Sequence, residues 1–168
     1  VYENLKISDV TSGESAIKKS PYIILHTIGE NGEKGSTKEM YLSTTINEGK
    51  TASAWTITAR NLVNIIKSIT NKSEEDAKAS INAGSISDLV QKLSTLLVGR
   101  PFRGVFYGKE IAASGEGKKN WIKAHLQYTE SMKVAKSASK LKFDETNPKH
   151  LEKLVAADSV KPEVTAWN

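Results

Sequence analysis

Cysteine is absent from this chain of 168 residues, which excludes disulfides, thiolate metal sites and a cysteine nucleophile. No apolar run is long enough to span a bilayer, and residues 1–10 do not show the charged-then-apolar pattern of a signal peptide. We therefore expect a cytoplasmic protein with no membrane partner. The length fits one well-buried domain and is short for two.

The sequence also has little that points to catalysis. The glycine-rich residues 29–35 have neither the glycine spacing nor the lysine-hydroxyl ending of a phosphate-binding loop, and there is no nucleophile elbow. The three histidines, His26, His125 and His150, are widely spaced and form no zinc-ligand pattern. The sequence therefore predicts no enzyme, no metal and no cofactor.

Positive charge is present and is unevenly distributed. Residues 100–142 hold ten basic and three acidic side chains, a net charge of +7, whereas the whole chain carries +5. A concentrated basic segment favours a polyanion as partner. A solvated, lysine-rich surface that serves only solubility is the other interpretation of the charge alone.

Hydrophobic periodicity changes twice along the chain. Alternating or short apolar runs predict three strands, at residues 2–10, 21–28 and 38–46, with turn residues between them, including 29–35. Helical spacing follows at residues 58–69 and 85–98, with a short polar helix between them that begins at Ser73. Strand patterns return at residues 101–111 and 120–130, and Asn147-Pro148 is a candidate start for a short C-terminal helix.

This order of three strands, a helical insert and two strands is that of a five-stranded OB-type barrel with its helices between strands 3 and 4. We assign residues 1–132 to this domain and residues 133–168 to a basic linker and a loosely ordered tail. The helical insert is expected to plug or flank the barrel. Its candidate core residues are Leu62, Ile65, Ile66, Leu89, Leu93 and Leu96.

Alternation divides the last two strands into two faces. Phe102, Gly104 and Phe106 fall on one side of the first strand, and Ile122, Ala124, Leu126 and Tyr128 form an apolar face on the second. These are the expected inward faces. The opposite, outward faces carry Arg103, Val105, Tyr107 and Lys109 on the first strand and Trp121, Lys123, His125 and Gln127 on the second.

Binding of single-stranded nucleic acid needs cations that follow the phosphates and flat rings on which bases stack. The outward faces interleave both kinds of group, and the connecting loop at residues 112–119 adds glycines and two lysines. Packing of Tyr107 or Trp121 against the barrel end or the helices is the alternative role for these rings. The predicted DNA-binding residues are Arg103, Tyr107, Lys109, Lys118, Lys119, Trp121, Lys123 and His125.

Two segments also carry a family resemblance: residues 17–23, Ile-Lys-Lys-Ser-Pro-Tyr-Ile, and residues 97–104, Leu-Val-Gly-Arg-Pro-Phe-Arg-Gly, before a hairpin that ends in Trp-Ile-Lys at 121–123. Over residues 18–128 the chain resembles the single-stranded DNA-binding proteins of bacteriophages. The resemblance implies an OB-type barrel and a basic, aromatic groove for single-stranded DNA. Many such proteins end in an acidic tail that recruits replication proteins, whereas residues 144–168 mix five acidic residues with several lysines.

The sequence thus predicts a single-stranded DNA-binding protein of phage replication or recombination, with replication or recombination proteins as further candidate partners. A module that docks on such an enzyme, with charge assisting the docking, is the alternative from another functional class. A small nuclease is a third possibility, disfavoured by the missing catalytic motifs. The pattern does not determine an oligomeric state.

Overall fold

The computed structural model describes residues 1–111, 121–144, 146–147 and 150–151, with the backbone alone at residues 109–111, 121–123 and 151. This part of the chain contains seven strands and three helices. The strands are β1 (Tyr2–Glu14), β2 (Pro21–Ile28), β3 (Lys34–Ser36), β4 (Met40–Tyr41), β5 (Pro101–Ile111), β6 (Trp121–Ser131) and β7 (His150–Leu151). The helices are α1 (Ala54–Thr70), α2 (Glu74–Ser80) and α3 (Ile86–Leu97).

Five strands form a ring in the order β1, β2, β3, β6, β5, because β5 pairs back onto β1. The pairings are antiparallel except between β3 and β6, which run parallel where Ser36 lies beside His125. Outside the ring, β4 pairs with β2, and β7 pairs with β5. The sheet is therefore mixed, and the predicted mainly-β fold with a helical insert is confirmed at this level.

Apolar side chains from alternate positions form the core beneath the sheet. Leu5 and Ile7 of β1 and Phe102 and Phe106 of β5 are fully buried, the two phenylalanines as the alternation predicted. Gly35 is required in β3 because a Cβ at this position would collide with the ring of Phe106. The glycine thus belongs to a strand, although the sequence placed it in a turn.

The prediction of a long third strand at residues 38–46 is wrong. The structure has two short strands instead, β3 and β4, and the strand pattern ends at Tyr41. Only the first part of the alternation is covered, since Met40 is buried while Ile46 is 60% exposed. Alternation without a neighbouring strand for the later residues was not enough to extend the sheet.

The three helices begin at serine caps, as polar residues before an apolar period predict. Ser53, Ser73 and Ser85 each accept a hydrogen bond from a backbone N–H of the first helical turn. Helix α1 ends at Asn71 in the left-handed conformation, with φ of 60°. Its start lies four residues before the predicted position 58, because the cap at Ser53 precedes the apolar period.

The helical insert packs on the sheet as expected. Helix α1 lies against β4 and β6, and α3 lies against β1. Leu62, Ile66, Leu89 and Leu93 are buried in the core, and Ile65 and Leu96 are partly buried against it. No helix within the described ranges combines the length and apolar character needed to cross a membrane.

The chain after β6 folds back along the ring. Residues 150–151 form β7 beside Phe106 and Tyr107 of β5, so the predicted helix after Asn147 is wrong where it is described. Backbone pairing with the edge of β5 took precedence over the helical pattern. Pro148, Leu154 and Val155, which belonged to that prediction, lie outside the described residues. The division into two parts at residue 132 stays a prediction.

Candidate nucleic-acid-binding site

Arg103 is buried and ion-paired, so its expected place on the outer surface is wrong. Only 2% of the residue is exposed. Its Nε donates to Glu3 Oε1 at 2.8 Å, and its Nη1 donates to Glu130 Oε1 at 2.6 Å and to the carbonyl of Val134 at 3.1 Å. The carboxylates of β1 and β6, together with the chain after β6, neutralise and cover this cation. A residue held in this way is not available to a phosphate.

Glu130 ties the chain after β6 to the ring through both carboxylate oxygens. Ser139 Oγ donates to Oε1 at 2.6 Å, and the Lys140 backbone N–H donates to Oε2 at 2.9 Å. Burial disfavours the charge of Glu130, but these hydrogen bonds and Arg103 outweigh it and hold the pKa of Glu130 below its ordinary value. The pKa of Arg103 is raised by its hydrogen bonds to the two glutamates. We call Glu3, Arg103 and Glu130 the ionic latch.

His125 is also buried, with 3% of the residue exposed, which corrects its predicted place on the outer surface. Its ring stacks on Tyr107, with centroids 5.4 Å apart and planes inclined by 23°. The two residues are cross-strand partners in the final hairpin, β5 and β6, and β6 also meets β3 at His125. Being placed at this junction of three strands explains the burial of His125. Val105, a further outward prediction, is buried as well.

Tyr107 remains accessible at this junction. The residue is half-buried, and the exposed Lys38 places its Nζ 5.3 Å from the centroid of the Tyr107 ring. This distance is within the range of a cation–π contact. Tyr107 is therefore a predicted site residue that the structure leaves at the surface, with a cation beside its ring.

Five predicted site residues cannot be placed as side chains. The structure describes the backbone but not the side chain at Lys109, Trp121 and Lys123. Lys118 and Lys119 fall in residues 112–120, outside the described ranges. The predictions made for these five stay predictions.

A cleft of about 630 Å³ opens between α1 and the final hairpin. We call it the hairpin cleft. Its described lining residues include two tyrosines, two lysines and three side-chain amides, and none of them is acidic. These are Tyr107, Tyr128, Lys38, Lys67, Asn61, Asn64 and Gln127.

Tyr128 is the most exposed ring in the hairpin cleft, at 57%, although the alternation placed it on the inward face. Within the described residues β3 pairs with β6 only at His125, and β6 continues to Ser131. Beyond that point α1 flanks β6, where Ser68 Oγ donates to the carbonyl of Thr129 at 3.3 Å. The pairing of β6 with β5 also shifts by one residue here, since Leu126 lies opposite Phe106 but Tyr128 lies opposite Val105, and Gln127 is the extra residue of this β-bulge. Directly paired residues share a face, so Tyr128 lies on the outward side with Val105. Leu126 and Ala124, its predicted companions, do pack against the core.

Sequence reasoning assigned α1 to packing alone and missed its contribution to the cleft. Asn61, Asn64 and Lys67 recur every three residues along the helix, opposite the buried stripe of Leu62 and Ile66. Spacing of this kind places polar side chains on one helical face. The spacing is visible in the sequence, but only the fold shows that this helical face lies beside β6.

The described residues contain no group of three or more histidine, aspartate or glutamate side chains that could hold a metal ion.

A second cleft, of about 500 Å³, lies away from the final hairpin between the start of α1 and the α2–α3 connection. Its lining combines apolar side chains, among them Leu42, Trp55 and Ile86, with the polar residues Thr44, Lys78, Asn82 and Ser85. No family model, curated protein or solved structure matches the chain.

Proposed function

We propose that this protein binds single-stranded DNA along the final hairpin and in the hairpin cleft, and that it catalyses no reaction. The observation that carries the proposal is the combination of accessible rings with cations in one cleft whose described lining has no carboxylate. Rings accept unstacked bases, and cations accept the phosphates between them. Tyr128 and Tyr107 supply the rings, and Lys38 and Lys67 supply the charge. Lys67 Nζ also lies 3.9 Å from Glu74 Oε1, but this pair is solvent-exposed and therefore weak.

The surrounding charge supports the same partner. Arg103 is neutralised by the ionic latch, whereas Arg100, Lys133, Lys136, Lys140 and Lys142, the other basic residues of the segment 100–142 whose side chains the structure describes, form no ion pair with another described residue. Four of them, Lys133, Lys136, Lys140 and Lys142, are exposed on the chain that follows the hairpin. A strand that leaves the cleft therefore meets further positive charge.

We further propose that the ring is an OB-type barrel. Its strand order and its parallel contact between β3 and β6 support this, as does the position of the helices between the third and fourth ring strands. OB-type barrels bind oligonucleotides across a strand face and its adjoining loops. The sequence resemblance to phage proteins is the ground for placing the activity in phage DNA replication or recombination, in the cytoplasm of the host cell.

Fluorescence anisotropy with labelled oligonucleotides tests the proposal. Single-stranded DNA and a duplex of equal length are titrated at low and at moderate salt. We expect tighter binding of the single strand and an affinity that falls with salt, because each neutralised phosphate releases counterions. Equal affinity for the duplex, or no binding of either, would overturn the proposal.

A protein-docking module is the second candidate, and the second cleft favours it. Trp55 and Ile86 lie beside Lys78 and Asn82 in this cleft, which suits a partner side chain that is apolar with a polar rim around it. A salt dependence near zero in the anisotropy titration, together with binding to a replication or recombination enzyme, would favour this function over DNA binding.

A further inference from the structure

Three side-chain amides of the hairpin cleft have no role in the fold. Asn61 and Asn64 lie on adjacent turns of α1, and Gln127 lies on β6. All three are exposed, and within the described part of the chain their amide groups make no hydrogen bond. An amide offers a donor and an acceptor side by side. The cleft therefore holds hydrogen-bonding capacity that the protein itself does not use.

The amides are placed beside rings that can hold a flat group. Tyr107 and Tyr128 line the same cleft, and its volume of about 630 Å³ is within the range of sites for small ligands, about 300–1,000 Å³. A base that stacks on a ring there presents its edge to groups around it. Stacking alone accepts any base, whereas hydrogen bonds to an edge distinguish one base from another.

We propose that the hairpin cleft holds one unstacked base of the bound strand and reads its edge through Asn61 or Asn64 of α1, with adenine preferred. This inference rests on the proposed function. On the edge that carries N7, adenine places a donor beside an acceptor, and a side-chain amide matches the two with two hydrogen bonds. Guanine places two acceptors there, which arginine or lysine matches, and the pyrimidines have no N7. Only one base is read, so the rest of the strand remains bound without regard to sequence.

The test uses three short labelled oligonucleotides: all-thymine, thymine with one central adenine, and thymine with one central cytosine. A single substitution avoids the self-stacking of long adenine strands. We expect the adenine-containing strand to bind about fivefold more tightly than the other two, the low end for one bidentate contact.

The double variant Asn61→Ala/Asn64→Ala should lose this preference and still bind the all-thymine strand as the wild type does. Gln91→Ala is the matched control, because Gln91 is an exposed helical amide on α3 outside the cleft. It should keep the preference. Thermal melting should show both proteins folded, since none of the three amides is buried.

Equal affinities in the wild type, a preference for cytosine, or an adenine preference that survives in the double variant would each overturn base reading. So would an equal loss of affinity for all three strands in the folded double variant, which would assign the amides to general binding. Failure of the wild type to bind any of the three strands would instead overturn the proposed function.

Discussion

Two neighbouring regions of the final hairpin, the ionic latch and the hairpin cleft, make opposite use of positive charge. In the latch Arg103 is enclosed by Glu3, Glu130 and the chain after β6, and its charge stabilises the fold. In the cleft, whose described lining has no carboxylate, Lys38 is exposed over Tyr107. The number of basic residues in a segment therefore does not measure its affinity for a polyanion. The affinity depends on whether carboxylates neutralise each basic side chain and whether other parts of the chain cover it.

The largest expected effect is on stability and concerns the ionic latch. Arg103→Met should lower the free energy of unfolding by about 3–5 kcal/mol, because it leaves two largely buried carboxylates without their cation. Chemical denaturation measures this. Arg100→Met is the matched control, since Arg100 is exposed three residues earlier, and it should change stability little. If Arg103→Met were as stable as the wild type and failed to bind DNA, Arg103 would belong to the binding site and not to the fold.

Acid should reduce the stability that the ionic latch contributes. The pKa of Glu130 is lowered in the folded protein, so the stability that it contributes is fully present above its unfolded pKa of about 4.3 and is lost as pH falls through the folded value. Unfolding free energies measured between about pH 6 and about pH 3 should therefore decline less steeply in Glu130→Gln than in the wild type. Equal slopes would show that the latch does not control this part of the acid response.

Substitutions in the hairpin cleft should change DNA binding and leave stability unchanged. Tyr128→Ala should weaken binding of single-stranded DNA by about 1–3 kcal/mol through lost stacking. Its melting temperature should stay near that of the wild type, because the ring is 57% exposed. Tyr128→Phe keeps the ring and should retain most of the affinity, as anisotropy titrations can show. A Tyr128→Ala protein that binds normally would remove the cleft from the site.

Much of the fold was predictable from local pattern. Apolar spacing predicted α1 and α3, the cap at Ser73 predicted α2, and alternation predicted the burial of Phe102 and Phe106. The third strand was not predictable, because the alternation continues to Ile46 after the neighbouring strands have ended. The strand pairing of residues 150–151 depends on an edge of β5 that is distant in sequence. Local periodicity carries no information about such partners.

The site was less predictable for a related reason. Alternation identifies two faces of a strand, but it does not show what else covers them. Arg103 and His125 were expected outside and are buried, the first by carboxylates from β1 and β6 and the second by the junction with β3. Tyr128 was expected inside and is exposed, because a β-bulge at Gln127 shifts the pairing of β6 with β5 and reverses the alternation there. Each error arose from a contact between residues far apart in the chain.

The smallest expected effect separates charge from stacking within the cleft. Lys38→Gln/Lys67→Gln should reduce the magnitude of the log-log salt slope of single-strand binding by about 1.4, at about 0.7 for each lost phosphate contact. The slope is the quantity to measure, because Lys38 also contacts Tyr107, and Lys67 lies 3.9 Å from Glu74, so a change in affinity at one salt concentration would mix several causes.

Lys50→Gln/Lys72→Gln is the control for this pair, since both lysines are exposed and neither lines the hairpin cleft. It carries the same loss of net charge and should leave the slope almost unchanged if the contacts are local. Equal reductions in the two double variants would mean that the protein attracts DNA through its total charge. The difference between the ionic latch and the hairpin cleft would then have no effect on DNA binding.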